Sequence, residues 1–226
     1  MVLNAPPQVM IFDVNETLSD LGPMAQRFAE VGAPESLAPL WFTSVLRDGF
    51  ALAAAGSGQT FADIAAALLR VLLPEAELNR SLGDGVAHVM DGFAQLKVHP
   101  DVLEGVQVLV DSGVRLVTLS NGAAAVAHRL LSDAGIAGAF EQLLSVEDAG
   151  VWKPARAAYH YALQQCGVAA QEAMLVAVHP WDIDGAHRAG LRTAWINRDG
   201  GSYPAHLFPA DLVASSVLSL ATQFPP

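Results

Sequence analysis

Residues 9–18 read Val9-Met10-Ile11-Phe12-Asp13-Val14-Asn15-Glu16-Thr17-Leu18, and this stretch decides the fold. Its apolar opening is short and built of residue types that suit a buried strand, and it turns polar at Asp13. In open α/β sheets, ligands bind at the carboxyl ends of the strands. A carboxylate placed there can be desolvated on one side and open to substrate on the other, the setting a carboxylate nucleophile needs. Thr17, four residues on, is near enough for its hydroxyl to hold a ligand oxygen or the Asp13 loop. Taken alone, Asp13 serves equally well as the N-cap of a following helix. The rest of the chain separates the two readings.

Downstream of Thr17, residues 19–96 carry helical spacing and almost no strand signal. Met24, Phe28 and Val31 recur at helical intervals, as do Leu37, Leu40, Trp41, Val45 and Leu46. Pro34, the Gly56-Ser57-Gly58 cluster and Pro74 punctuate the segment. Residues 61–73 and 86–93 are further helix candidates. From Pro100 onward helix and strand alternate. Strands are expected at 114–119, 140–146, 173–178 and 193–197, with a short last one at 211–214, and helices at 102–111, 123–134 and 155–166. Such alternation argues for a mostly parallel sheet with right-handed crossovers. The expected organisation is an α/β core formed by 1–18 and 97–226, with 19–96 inserted as a helical cap.

Composition narrows the function. A chain of 226 residues that is 52% hydrophobic and 15% charged describes a core-rich globular protein. The formal net charge of −11 and the absence of a basic stripe disfavour nucleic acid as a partner. A small anionic substrate stays compatible, because a local positive site can receive it. The lone cysteine, Cys166, cannot close an intramolecular disulfide, and no Cys/His pattern suits zinc. A reducing cytoplasm fits best. The N-terminus lacks the pattern of a signal peptide, and no apolar run approaches membrane-spanning length.

Four expected strand ends carry polar groups: Asp13 with Thr17, Ser120 with Asn121, Lys153, and His179 with Asp182. Each alone has an ordinary explanation: a turn, a solvated loop lysine, a helix cap. In a parallel sheet all four converge on one crevice, so their occurrence in order points to a catalytic site.

The order D-V-N-E-T-L, L-S-N-G, K-P and H-P-W-D-I-D-G-A resembles the haloacid dehalogenase superfamily over nearly the whole chain, and most closely its (S)-2-haloacid dehalogenase branch. That resemblance implies a Rossmann-like core with a helical cap after the first strand. It also implies hydrolytic dehalogenation of short 2-haloalkanoic acids to 2-hydroxy acids through an aspartyl ester. By motif match Asp13 is the nucleophile, positioned by Thr17. Ser120, with neighbouring amides, holds the substrate carboxylate, and Asn121 shapes that loop. Lys153 balances the charge of Asp13. Asp182 partners the lysine and helps place the hydrolytic water. Tyr159 shapes the site, and Trp181 stands at the pocket wall. The resemblance implies no cofactor or metal, and a possible homodimer.

The chain departs from the branch where an arginine usually follows the cap's Leu-Trp pair: Leu40-Trp41 is followed here by Phe42. Arg47 is not an obvious substitute, since five residues carry it about 140° around a helix from Phe42. The branch's serine and asparagine of the fourth motif appear as Ala177 and His179. An imidazole there can donate to halide or activate water. Two other readings compete. Magnesium-dependent phosphatases of the superfamily use an acid two residues after the nucleophile, where this chain has Asn15, and favour another at the place of Val178. Asp13, Asp182 and Asp184 are the remaining candidates for magnesium ligation. A non-catalytic binding module on the same fold has no need for a nucleophile kept with its charge partner.

Overall fold

The computed structural model describes residues 6–73 and 77–224. The break expected at Pro74 and the first five residues of the N-terminal segment lie outside the described residues. The chain divides into two compact units, Met1–Ser19 with Lys97–Pro226, and Asp20–Leu96.

The first unit holds six parallel strands: β1 (Val9–Phe12), β2 (Arg115–Ser120), β3 (Phe140–Ser145), β4 (Ala173–Ala177), β5 (Arg192–Ile196) and β6 (Leu212–Ala214). Their order is β3-β2-β1-β4-β5-β6, the doubly wound arrangement that reverses direction beside its first strand. The register pairs Phe12 with Thr118 on one side and with Val176 on the other. All four β1 residues are fully buried, which is why the sequence runs apolar without alternation there. One face packs Met10, Phe12, Met174, Val176, Ala194 and Ile196 against Val102, Val106 and Leu109 of helix α5 (Val102–Asp111) and against Val217 and Leu220 of α10 (Val217–Ala221). The remaining helices of this unit are α6 (Ala124–Asp133), α7 (Val146–Ala149), α8 (Arg156–Cys166) and α9 (Pro180–Arg188).

The second unit contains α1 (Met24–Ala29), α2 (Leu37–Ala54), α3 (Phe61–Leu72) and α4 (Leu82–Ala94). Its interior is aromatic. Trp41 is fully buried, donates from Nε1 to the Ala65 carbonyl (3.0 Å), and meets Phe28 and Phe93 at centroid distances of 5.9 and 5.7 Å. Phe61 stacks on Phe93 at 5.2 Å.

Several boundaries differ from the sequence expectation for local reasons. Helix α4 starts four residues before Val86, because the Ser81 hydroxyl accepts from the Asp84 amide and caps it. The polar loop expected after β3 opens with the one-turn α7. Ser145 Oγ caps it by accepting from the Glu147 amide, and Gly150 ends it at φ 72°. Leu40, expected on the apolar face of α2, is 51% exposed, while Ala38, Trp41, Phe42 and Val45 are buried. No helix among the described residues is long and apolar enough to cross a membrane.

Candidate active site

β1 ends at Phe12, and the Asp13 amide still donates to the Val176 carbonyl of β4 (3.0 Å). The nucleophile candidate is therefore pinned by the sheet at its topological reversal. Residues 14–18 then form a tight turn in which the Leu18 and Ser19 amides both bond the Val14 carbonyl (2.9 and 3.0 Å). Glu16 takes φ 62°, the one described non-glycine residue with a positive φ. A left-handed residue with a Cβ is strained, and such strain collects at functional sites.

The turn brings Thr17 back onto Asp13. Thr17 Oγ1 donates to Asp13 Oδ2 (2.7 Å) and accepts from the Val178 amide (3.1 Å). Lys153, fully buried, donates from Nζ to Asp13 Oδ1 (2.9 Å) and to Asp182 Oδ2 (2.6 Å). Tyr159, also fully buried, donates its hydroxyl to Asp182 Oδ1 (2.6 Å). Asp13, Thr17, Lys153, Tyr159 and Asp182 thus form one continuous network, and the first of them alone keeps a few per cent of exposure.

Burial pushes the Asp13 carboxyl upward, but Lys153, His179 and the Thr17 hydroxyl together outweigh it and hold it below the usual carboxylate range. Burial pushes the Asp182 carboxyl above that range despite Lys153. For Lys153, burial works against the cation, yet the two carboxylates prevail and the ammonium stays protonated beyond its ordinary value. Burial and the neighbouring Asp182 raise the Tyr159 hydroxyl well above 10.0. The outcome is an ionised carboxylate facing the crevice from a site whose permanent cation is already shared.

The other expected residues of the first unit, Asn121, Ser120 and Asn15, sit around this network. The Asn121 side-chain amide is closed on the Lys153 backbone, accepting from its amide (3.0 Å) and donating to its carbonyl (3.3 Å). Its side chain holds the Lys153 backbone in place. Ser120 Oγ accepts from the Gly122 amide (2.9 Å). Both Ser120 Oγ and the Asn15 side-chain nitrogen lie within 4 Å of where a Cβ on Gly122 would stand. Helix α6 begins just beyond, at Ala124, and its N-cap Ala123 offers no capping side chain. Phe42 belongs to the helical unit, where it is 5% exposed with its ring 6.1 Å from Phe61. Arg47 in that unit pairs with its neighbour Asp48 (2.8 Å).

His179 stands at the start of α9. Its Nε2 lies 3.2 Å from the Asn15 carbonyl and 3.6 Å from both Asp13 Oδ2 and Glu16 Oε2. A carbonyl only accepts, so Nε2 carries a proton in this arrangement. Trp181 stacks on the imidazole at 5.0 Å, with its ring 5.9 Å from Lys153 Nζ. Glu16 is the residue the sequence reading overlooked. Burial raises its carboxyl above 4.5, which makes it a stronger base. The available signal was an acid three residues after Asp13 in a turn that also had to carry Thr17.

Two further carboxylates are held by their neighbours. Asp182 has no exposure, and both its oxygens are engaged by Lys153 and Tyr159. It anchors the lysine. Asp184, a candidate magnesium ligand, instead takes two bonds from Arg188 (2.7 and 3.2 Å) and one from the Phe208 amide (2.9 Å). Among the described residues no group of three or more His, Cys, Asp or Glu is arranged to hold a metal ion.

Comparison with known proteins agrees with this geometry. A family model for haloacid dehalogenase-like hydrolases matches residues 7–190. The chain is 27% identical over 198 residues to haloacetate dehalogenase H-2 of Moraxella sp. (strain B), covering 87% of this chain and 88% of that protein. It is 28% identical over 199 residues to an (S)-2-haloacid dehalogenase of Pseudomonas putida, with 87% of each covered. The solved structure of the L-2-haloacid dehalogenase RSc1362 superposes with a TM-score of 0.90 at 27% identity, over 96% of this chain and 98% of that one. With its parallel sheet, its strand-end network and a family match over most of its length, this chain belongs to the haloacid dehalogenase-like hydrolases.

Proposed function

We propose that this protein hydrolyses short 2-haloalkanoic acids to 2-hydroxy acids through an ester on Asp13. The observation that carries the reading is a carboxylate held ionised by Lys153 and Thr17, with His179 and Glu16 beside it and Asn15 where a phosphatase has its acid. Relatives named for haloacetate and (S)-2-haloacid dehalogenation support the substrate class.

In the first step an Asp13 oxygen attacks the halogen-bearing carbon, an O–C bond forms, and the halide departs with the electron pair of the broken bond. The Ser120 hydroxyl, whose oxygen accepts from the Gly122 amide, and the uncapped start of α6 receive the substrate carboxylate. The proton on His179 Nε2 faces the same crevice and assists an anion there. Esterification removes the charge of Asp13. Water then adds to its carboxyl carbon while the Glu16 carboxylate, beside the His179 Nε2–H, takes one water proton. The bond from that carbon to the substrate oxygen breaks, that proton passes to the leaving oxygen, and the Asp13 carboxyl releases the other proton as it re-ionises. The 2-hydroxy acid leaves, and one oxygen of Asp13 now comes from water.

The reaction needs no metal. Asn15 and Val178 cannot ligate a cation as carboxylates do, and Asp184 is engaged by Arg188, so this donor set suits magnesium poorly. The test is halide release from racemic 2-chloro- and 2-bromopropionate, with and without EDTA, for wild type and Asp13→Asn. Release that ignores EDTA and vanishes in the variant is expected. In a single turnover in oxygen-18 water, the peptide containing Asp13 gains the label. Activity that survives Asp13→Asn, or label found only in the product hydroxyl, refutes the mechanism. His179→Ala should lower kcat about 100-fold and let the ester accumulate, seen as added mass on Asp13. A variant that turns over slowly with no accumulated ester would remove His179 from the hydrolytic step.

A further inference from the structure

We infer that Arg198, just past the carboxyl end of β5, is a positioning residue for the Asp13 turn: it fixes the Thr17 backbone and thereby the hydroxyl that orients the Asp13 carboxylate. The inference rests on Asp13 as the nucleophile. It adds a fifth strand end to the four that carry the chemistry.

The turn after β1 presents four successive carbonyls, and each is held from outside it. The Asn15 carbonyl lies against His179 Nε2 (3.2 Å), and the Glu16 carbonyl against His99 Nε2 (3.0 Å). The Thr17 carbonyl accepts from Arg198 Nη2 (2.8 Å), and the Leu18 carbonyl from the His99 amide (2.9 Å). Of these donors only Arg198 is a permanent cation. It is itself anchored: Nη1 donates to Asp101 Oδ1 (2.8 Å), while Asp101 Oδ2 accepts from the Val217 amide at the start of α10 (2.7 Å). The guanidinium therefore ties the nucleophile turn to the beginnings of α5 and α10, whose apolar faces are buried against the sheet.

Two further features favour positioning over plain stability. Arg198 Nε is buried and has no hydrogen-bond partner among the described residues, so the arrangement accepts a desolvation cost to place the two Nη atoms. Thr17 is β-branched and stiff at χ1, so a fixed backbone delivers Oγ1 to a fixed point 2.7 Å from Asp13 Oδ2. A lysine offers a point charge and no planar fork, so it cannot span the Thr17 carbonyl and Asp101 in the same geometry.

The test compares wild type, R198M, R198K, D101N, T17V and the double variant R198M/T17V by steady-state halide release. The Asp13 carboxyl is also titrated by carbon-13 NMR in the substrate-free protein, where Lys153, His179, Glu16 and Asp182 are its charged or titratable neighbours. R198M and R198K should each lower kcat by about tenfold with KM within about twofold, and D101N should act in the same direction. In the T17V background R198M should add less than about twofold, because both changes remove one device. The Asp13 carboxyl should titrate higher in R198M than in wild type, as it should in T17V. Additive losses, a wild-type rate in R198K, or an unmoved Asp13 titration would each overturn the inference, even with a lowered Tm. If R198M fails to fold, R198K and D101N carry the same comparison. If the wild type releases no halide, the NMR titration still decides the role of Arg198 while the proposed activity falls by itself.

Discussion

Replacing Lys153 by methionine keeps an unbranched apolar stem and deletes the terminal ammonium with its charge. In the native protein that charge lies 2.9 Å from one buried carboxylate and 2.6 Å from another, with no solvent exposure. Removing one partner of a buried ion pair costs about 3–5 kcal/mol, chiefly because a charge is left without compensation. Against a typical total stability of about 5–15 kcal/mol, the variant stays folded but is severely weakened. With a urea dependence near the upper end of about 1–3 kcal/mol/M, its midpoint should fall by about 1–2 M.

The pH dependence gives the stronger test. In the native protein the Asp13 carboxyl lies below its ordinary value, so its stabilising contribution is complete above the unfolded value near 3.8 and is lost as pH falls through the depressed one. Lys153 is shifted upward, so its contribution is complete below 10.5 and is lost as pH rises through the elevated value. In Lys153→Met the buried carboxyls lose their cation and titrate above the unfolded value, so acidification relieves the variant's penalty by protonating one of them. Urea unfolding at pH 7 and pH 4.5 should show the gap between wild type and variant narrowing at the lower pH. A gap below about 1 kcal/mol at pH 7, or one independent of pH, would refute the description of Lys153 as the ion shared by Asp13 and Asp182.

Other consequences follow from the same network. Tyr159→Phe removes a buried donor 2.6 Å from Asp182 Oδ1 and should destabilise by about 1.5–3 kcal/mol in urea unfolding. Because the hydroxyl stays protonated well past pH 10, the loss should be equal at pH 6 and pH 9, and a value below about 0.5 kcal/mol would count against the bond. Gly185→Ala places a methyl 2.5 Å from the Tyr159 hydroxyl and 2.7 Å from Pro154 Cβ, so a loss of about 1–3 kcal/mol is expected. Gly138→Ala, with open space around it, should stay within about 0.5 kcal/mol of wild type, and equal melting temperatures for the two would contradict the packing beneath Asp182.

What the sequence determined by itself was the sheet and the set of strand ends. Four consecutive apolar residues before Asp13 demand a strand covered on both faces, and alternation of strand and helix after Pro100 leaves a parallel sheet as its solution. The residues past each strand then share one end of the sheet whatever their side chains do. Asp13, Thr17, Ser120, Lys153 and Asp182 were legible as candidates for that reason, because position along the chain and residue type single them out.

Roles within that set were decided by contacts between residues far apart in sequence. Asn121 proved to be a clamp on the Lys153 backbone, and Asp182 an anchor sealed by Tyr159. No local pattern separates an amide or carboxylate that touches substrate from one that holds its neighbour. Glu16 and Arg198 escaped notice because one depends on a left-handed turn and the other on a fork reaching 181 residues back to Thr17. Sequence periodicity reports which face of an element is buried. Which polar atoms meet above the sheet is settled only when tertiary packing closes the loops, since a hydrogen bond depends on tenths of an ångström that no spacing rule encodes.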